Sequence, residues 1–144
     1  MQMAQASTVY LLGINNSGQI VGYVGGSGTS TNSDFIYNYP SGVLQYVSAL
    51  GNGTLTYTAG INDSGQVVGS QEIGTTLYGF LYSGGVYTYF NPPGGISTYP
   101  EGINNSGAIS GTYYANGENF GVGFVDWRCL HQCNPRWLFT SLRN

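Results

Sequence analysis

The sequence contains few charged residues and no lysine. Only 6% of its 144 residues are charged, and the formal net charge is −3. All three basic residues, Arg128, Arg136 and Arg143, lie near the C-terminus. Because a phosphate backbone is bound mainly by clustered Lys and Arg side chains, we predict that the protein does not bind nucleic acid.

Cysteines and long apolar runs are equally scarce. The only cysteines are Cys129 and Cys133, which excludes a disulfide framework and leaves either one local bridge or two free thiols. No run approaches the roughly 18 apolar residues of a membrane helix, so we predict no membrane partner. Residues 1–6 lack the basic and apolar segments of a signal peptide, so no export signal is visible in this chain.

Glycine and tyrosine are abundant instead. The chain has 24 Gly and 13 Tyr, and 41% of its residues are hydrophobic. Glycine-rich chains without aromatic residues are commonly disordered, but here the apolar and aromatic content is sufficient for a core of modest size. We therefore predict a folded all-β chain.

A ten-residue phrase occurs three times. The copies begin at Gly13, Gly60 and Gly102, and are therefore 47 and 42 residues apart. These spacings are close to the length of a four-stranded propeller blade. The phrase predicts a repeat protein, and each copy starts one repeat unit.

Each copy has the chemistry of a tight hairpin turn. Asn begins the turn and can bond to the backbone two residues later, and Gly ends it in the left-handed conformation that a following bulge requires. A Ca²⁺ loop would need several carboxylates, and only Asp63 supplies one. The predicted structural turn residues are Asn15, Gly18, Asn62, Gly65, Asn104 and Gly107.

Strand-forming segments and turn residues alternate in the same order after each copy. We predict a three-repeat domain over residues 1–126, with four-stranded units at about 7–48, 54–91 and 96–126. Residues 127–144 form an atypical tail that contains both Trp, both Cys and the only His. Either this tail was not shaped by the repeat and packs poorly, or it caps the array and residues 137–139 supply the missing fourth strand.

The predicted fold class is all-β, with three four-stranded antiparallel units arranged as the blades of a partial propeller. A β-trefoil or β-prism is the alternative, because both build a domain of this size from three four-stranded units. Three blades do not close a ring of the ordinary four to eight. We therefore expect self-association through exposed sheet edges, for example as a twofold dimer with six blades.

A turn, an aromatic hairpin and a linker follow one another in a characteristic order. The residues concerned are 79–88, Phe90, Pro93, Gly94, Thr98 and 102–107. This order resembles the HAF-type extracellular repeat of bacterial proteins. The resemblance extends roughly from Tyr10 to Val125, and Gly95, Pro100, Ser110 and the tail depart from its pattern. It implies an exported repeat protein with propeller-like blades and an extracellular or cell-surface location, and it implies no established activity.

Four tyrosines recur at equivalent repeat positions. Tyr37 and Tyr82 share one position, and Tyr46 and Tyr89 share another. A tyrosine offers an apolar ring and a hydroxyl, which suits the apolar faces and hydroxyl groups of sugars. These four residues are the candidate ligand-binding residues, although packing between neighbouring sheets is the more common role of repeated aromatic residues.

The sequence predicts no catalytic residue, metal site or cofactor. His131 lies in the atypical tail, and its spacing from the two cysteines does not match a zinc site. The six carboxylates do not recur at equivalent repeat positions, and we expect them at solvated turns and edges. They are Asp34, Asp63, Glu72, Glu101, Glu118 and Asp126.

The expected function is a non-catalytic extracellular repeat module for binding or adhesion, with carbohydrate as the ligand class. The alternative is a structural scaffold that assembles into an oligomer or filament and has no small-molecule ligand.

The turn glycines give a direct test of the predicted hairpins. Gly65→Val places a β-branched side chain at positive φ and should destabilise the protein by about 1–3 kcal/mol. Gly65→Asn should cost less, because Asn tolerates the left-handed region. Thermal melts compare the two variants, and equal losses of stability would contradict the predicted turn.

Overall fold

The computed structural model describes residues 7–26, 33–47, 55–126 and 138–140. Every regular element in these segments is a β-strand, which confirms the predicted all-β class. The described residues therefore include no helix long and apolar enough to cross a membrane. The strands are β1 (Ser7–Ile14), β2 (Gln19–Gly26), β3 (Ser33–Asn38), β4 (Val43–Tyr46), β5 (Thr56–Ile61), β6 (Val67–Ile73), β7 (Thr76–Ser83), β8 (Val86–Phe90), β9 (Gly95–Ile103), β10 (Ala108–Ala115), β11 (Glu118–Asp126) and β12 (Leu138–Thr140).

The strands pair antiparallel in three consecutive groups of four. β1–β4 form a separate four-stranded sheet, which we call the first unit. β5–β8 form the second unit and β9–β12 the third, but one parallel bridge between Leu77 and Ser97 joins these two into a single eight-stranded sheet. β8 pairs only with residues 79–83 of β7. Residues 76–78 of β7 pair with β6 on one side, and their other side is therefore available for the bridge. Three separate sheets, as the sequence predicts, are therefore not found.

The three repeated phrases form the predicted hairpin turns. In the first copy, Gly18 N–H donates to Asn15 O at 3.1 Å, and Asn15 Oδ1 accepts the N–H groups of Ser17 and Gln19. The second and third copies make the same bonds. Positive φ was predicted for the three turn glycines and is confirmed at +76°, +72° and +84° for Gly18, Gly65 and Gly107.

The turns also bond to one another across the units. Asn15 Nδ2 donates to Asn62 O at 2.9 Å, and Asn62 Nδ2 donates to Asn104 O at 3.0 Å. A parallel row forms one residue later, where Asn16 N–H donates to Asp63 Oδ1 and Asp63 N–H donates to Asn105 Oδ1. We call these two rows the turn ladder. It holds each unit in a fixed position against the next.

The glycine that opens each phrase allows the units to approach closely. A Cβ atom on Gly60 would lie 3.3 Å from Gly102 Cα, and one on Gly13 would lie 3.6 Å from Gly60 Cα. The backbones of successive units therefore meet at these glycines, and a side chain there would push the turn ladder apart.

The core lies between the units rather than inside any one sheet. One apolar cluster joins the first unit to the second, and another joins the second to the third. Apolar faces of a sheet are stabilised when a neighbouring sheet removes them from water. The first cluster contains Val21, Ile36, Val47, Ile61, Val67, Phe80 and Tyr82, and the second contains Val68, Leu81, Phe90 and Ile109.

The tail contributes one described strand. β12 pairs antiparallel with β11, so the third unit has a fourth strand at Leu138–Thr140. Residues 127–137 and 141–144 lie outside the described residues, and with them His131, Cys129 and Cys133.

Equivalent asparagines should differ in importance because of their places in the turn ladder. Asn62→Ala removes the bonds of its own turn and also the bond to Asn104 O, whereas Asn104→Ala removes turn bonds alone. Asn62→Ala should therefore cost about 1–3 kcal/mol more than Asn104→Ala, the range for a buried polar group left without its partner. Urea unfolding measures both variants. Equal losses would show that the inter-unit bond contributes nothing.

Candidate functional site

The four candidate tyrosines lie on corresponding faces of two units. In the first unit Tyr37 lies opposite Leu44, and Tyr46 lies opposite Phe35. In the second unit Tyr82 and Tyr89 take the same two positions, opposite Tyr87 and Phe80. Because directly opposed residues share one face of a sheet, each pair of tyrosines lies on one face of its unit.

In the second unit this face packs against the first unit. Tyr82 is only 8% exposed and accepts a hydrogen bond from Gln45 Nε2 at 2.7 Å. The Tyr89 hydroxyl donates to Gln71 Oε1, and the ring of Tyr87 lies between those of Tyr82 and Tyr89. Tyr82 therefore bonds directly to the first unit, and Tyr89 packs against the apolar cluster between the two units. Neither ring is free to stack on a ligand.

In the first unit most of the same face is exposed within the described part of the chain, although Phe35 is buried. Tyr37 is half-buried, but Tyr46 is 59% exposed. Exposed apolar residues of β1 and β4 lie on the same face as Tyr46. We call this group of residues the end face. The end face comprises Val9, Leu11, Ile14, Leu44 and Tyr46, with exposed fractions of 57%, 64%, 67%, 47% and 59%.

Every equivalent position in the second unit is at least partly covered. Thr56 and Thr58 correspond to Val9 and Leu11, and they are 5% and 2% exposed. Ile61 corresponds to Ile14 and is 8% exposed, while Tyr87 and Tyr89 are half-buried. The second unit packs through this surface, whereas the first unit exposes it to solvent. The surface of the first unit is also more apolar, because Val9 and Leu11 take the positions of Thr56 and Thr58. Contiguous exposed apolar surface of this kind is typical of an interaction site.

Asp34 lies on the opposite face of the first unit, against the second unit. It is 2% exposed, so the expectation that all carboxylates are solvated is wrong for this residue. Asp34 Oδ1 accepts hydrogen bonds from the N–H and the hydroxyl of Thr58 at 2.9 and 3.0 Å, while Oδ2 has no partner in the described part of the chain. Burial raises the pKa of Asp34 to about 6, although the bonds from Thr58 oppose this rise. Asp63, Glu72, Glu101 and Glu118 are exposed, as expected.

The carboxylate of Asp63 is already occupied by protein groups. Its Oδ1 accepts the Asn16 N–H, and its Oδ2 accepts the side-chain amides of Asn16 and Asn105 at 2.7 Å each. These bonds lower the pKa of Asp63. The described residues contain no group of three or more His, Cys, Asp or Glu arranged to hold a metal ion. In this structure Asp63 therefore serves the turn ladder.

The turn ladder and the end face are the two features that sequence reasoning did not identify. The available signal for the ladder was the Asn that begins all three turns, because its side-chain nitrogen has two N–H donors and its own turn uses at most one of them. No comparable signal marks the end face, because its residues resemble ordinary strand residues.

Comparison with protein-family models and with curated proteins gives no match to this chain. The resemblance to the HAF-type repeat therefore stays a prediction.

The buried Asp34 should make stability depend on pH. In the unfolded chain its pKa is about 3.8, and in the folded protein it is about 6. The folded state therefore keeps a proton that the unfolded state loses, so the contribution of Asp34 to the free energy of unfolding should be complete below about pH 4 and fall by roughly 3 kcal/mol by about pH 7.

Asp34→Asn should remove most of this fall, because the amide oxygen still accepts the bonds from Thr58 and the side chain no longer titrates. Urea unfolding between pH 4 and pH 7 measures the effect, with Glu72→Gln as an exposed control. The lowered pKa of Asp63 acts only below about pH 4, where its bonds are lost as the pH falls. An unchanged slope in Asp34→Asn would contradict this assignment.

Proposed function

We propose that the three units are propeller-type blades. Three observations support this arrangement: each unit is a four-stranded meander, their first strands approach one another at Gly13, Gly60 and Gly102, and their faces stack in series. A trefoil needs pairings that close a six-stranded barrel, and none of the pairings among the described residues does so.

We further propose that the protein is a non-catalytic scaffold module whose sheet faces bind other sheets of the same kind. The observation that carries this proposal is the end face, where the first unit exposes the positions that the second unit covers by packing. Two of the four candidate ligand-binding tyrosines already serve as packing residues between units. The repeat thus uses its aromatic face for contacts between sheets.

Carbohydrate binding is the second candidate, and one observation favours it. Tyr46 is 59% exposed, with Leu44 of the end face and the half-buried Tyr37 on the same side of the sheet. An accessible tyrosine ring next to apolar neighbours is suited to the apolar face of a sugar. Under this proposal Tyr37 and Tyr46 contact the glycan, and Tyr82 and Tyr89 do not.

A glycan array separates the two functions. We expect the wild-type protein to give no specific signal, because the end face is adapted to another sheet. Tyr46→Ala and Tyr99→Ala form a matched pair, since both tyrosines are exposed and only Tyr46 lies on the end face. Glycan binding that is lost in Tyr46→Ala, kept in Tyr99→Ala and accompanied by unchanged melting temperatures would replace the scaffold proposal with carbohydrate binding.

A further inference from the structure

Among the described residues, the stack of units has two uncovered ends with different chemistry. At one end lies the apolar end face of the first unit. At the other end lies the third unit, whose turn is the last rung of the turn ladder. Within the chain, each face equivalent to the end face packs against the preceding unit. The missing neighbour of the end face is therefore a unit that precedes the first unit in the stack.

The turn ladder has an unused donor at the end formed by the third unit. Asn15 Nδ2 and Asn62 Nδ2 each donate to the carbonyl of the following turn. Asn104 is exposed, and its side-chain oxygen accepts its own turn's bonds. Within the described part of the chain, Asn104 Nδ2 has no acceptor in a following turn.

The matching acceptor lies at the end formed by the first unit. The carbonyl oxygens of Asn62 and Asn104 each accept two bonds, one from the glycine of their own turn and one from the preceding unit. Asn15 O accepts only the Gly18 N–H among the described residues. A carbonyl oxygen has two lone pairs, so Asn15 O can accept one further bond.

The backbone at Gly102 also lacks the neighbour that the equivalent glycines of the other units have. A Cβ on Gly13 or Gly60 would meet the backbone of the next unit, whereas among the described residues a Cβ on Gly102 would meet only Ser110 Oγ, at 3.6 Å. The space beside Gly102 therefore corresponds to the space that the next unit's glycine fills elsewhere in the stack.

We propose that the end face of one molecule binds the third unit of a second copy of this chain, so that the stack and the turn ladder continue from one molecule to the next. Asn104 Nδ2 donates to Asn15 O of the second copy, and the second copy's Gly13 lies against Gly102. This inference rests on the proposed scaffold function and names its partner. The contact is head-to-tail, and such a contact gives a ring if the rotation closes and a filament if it does not.

The contact should be weaker than the packing between units of one chain. Ser110 takes the place of Val21 and Val68, so the third unit offers a less apolar side chain to the end face. Less apolar area is then buried, and we expect association that depends on concentration.

Two variants block the two sides of this contact separately. Leu11→Asp places a charge on the end face, where the native side chain is 64% exposed, so the fold should be kept. Gly102→Ala adds a methyl group that has room within the chain but would obstruct the second copy. Val86→Asp is the control, since Val86 is also 64% exposed and lies in the second unit, away from both ends of the stack.

Sedimentation velocity over a concentration series tests the proposal with the full chain. We expect the wild type and Val86→Asp to associate, and Leu11→Asp and Gly102→Ala each to remain monomeric. An equimolar mixture of Leu11→Asp and Gly102→Ala should form a dimer and nothing larger, because one intact end of each variant is available to the other.

Three results would overturn the inference. The first is a wild-type protein that stays monomeric at every concentration. The second is a Gly102→Ala variant that forms dimers by itself while Leu11→Asp stays monomeric. That result would indicate that the end faces of two molecules bind each other. The third is equal association of all variants. If the wild type is monomeric and the glycan array gives no signal, a second copy is excluded as the partner, but the scaffold proposal is kept. If the protein binds a glycan specifically through Tyr46, the scaffold proposal itself is wrong.

Discussion

The structure depends on the side-chain amide of the asparagine that begins each turn. In Asn62 the oxygen accepts two N–H groups of its own turn, and the nitrogen donates to Gln66 Oε1 and to Asn104 O. The residue is 3% exposed, so each of these bonds replaces water that the group has lost. Aspartate lacks the donor and serine has too few polar atoms, so neither makes the same set of bonds.

This amide links local structure to the packing of the units. The oxygen fixes the turn, and the nitrogen requires the next turn's carbonyl to lie within about 3 Å, which sets the position of one unit against the next. Once that position is fixed, the glycines at the start of each phrase allow the backbones to meet. The apolar faces of the two units then pack in the position that the turn ladder has already set.

The two contacts between units reach the same arrangement with different chemistry. The contact between the second and third units is largely aliphatic, with Val68, Leu81 and Ile109 at its centre, and it includes one buried bond from the Ser70 hydroxyl to Thr98 O. The contact between the first and second units also contains polar pairs, such as Gln45 with Tyr82 and Asp34 with Thr58. Its stability therefore responds to pH, because a buried carboxyl group favours its neutral form.

The sequence alone determined the three turns and the positive φ of their glycines, because these depend on bonds between residues at most four positions apart. It also determined the all-β class, because strand-forming segments alternate with turn residues along the whole repeat. The tertiary structure decided what distant copies do to one another. Tyr46 and Tyr89 occupy the same repeat position, yet one is exposed and the other packs, since this face of the second unit meets the first unit whereas no unit among the described residues covers this face of the first. Asp34 is buried because the second unit packs against the opposite face of the first unit. A repeat sequence specifies the face of each unit, but whether that face meets solvent or another sheet depends on its place in the stack.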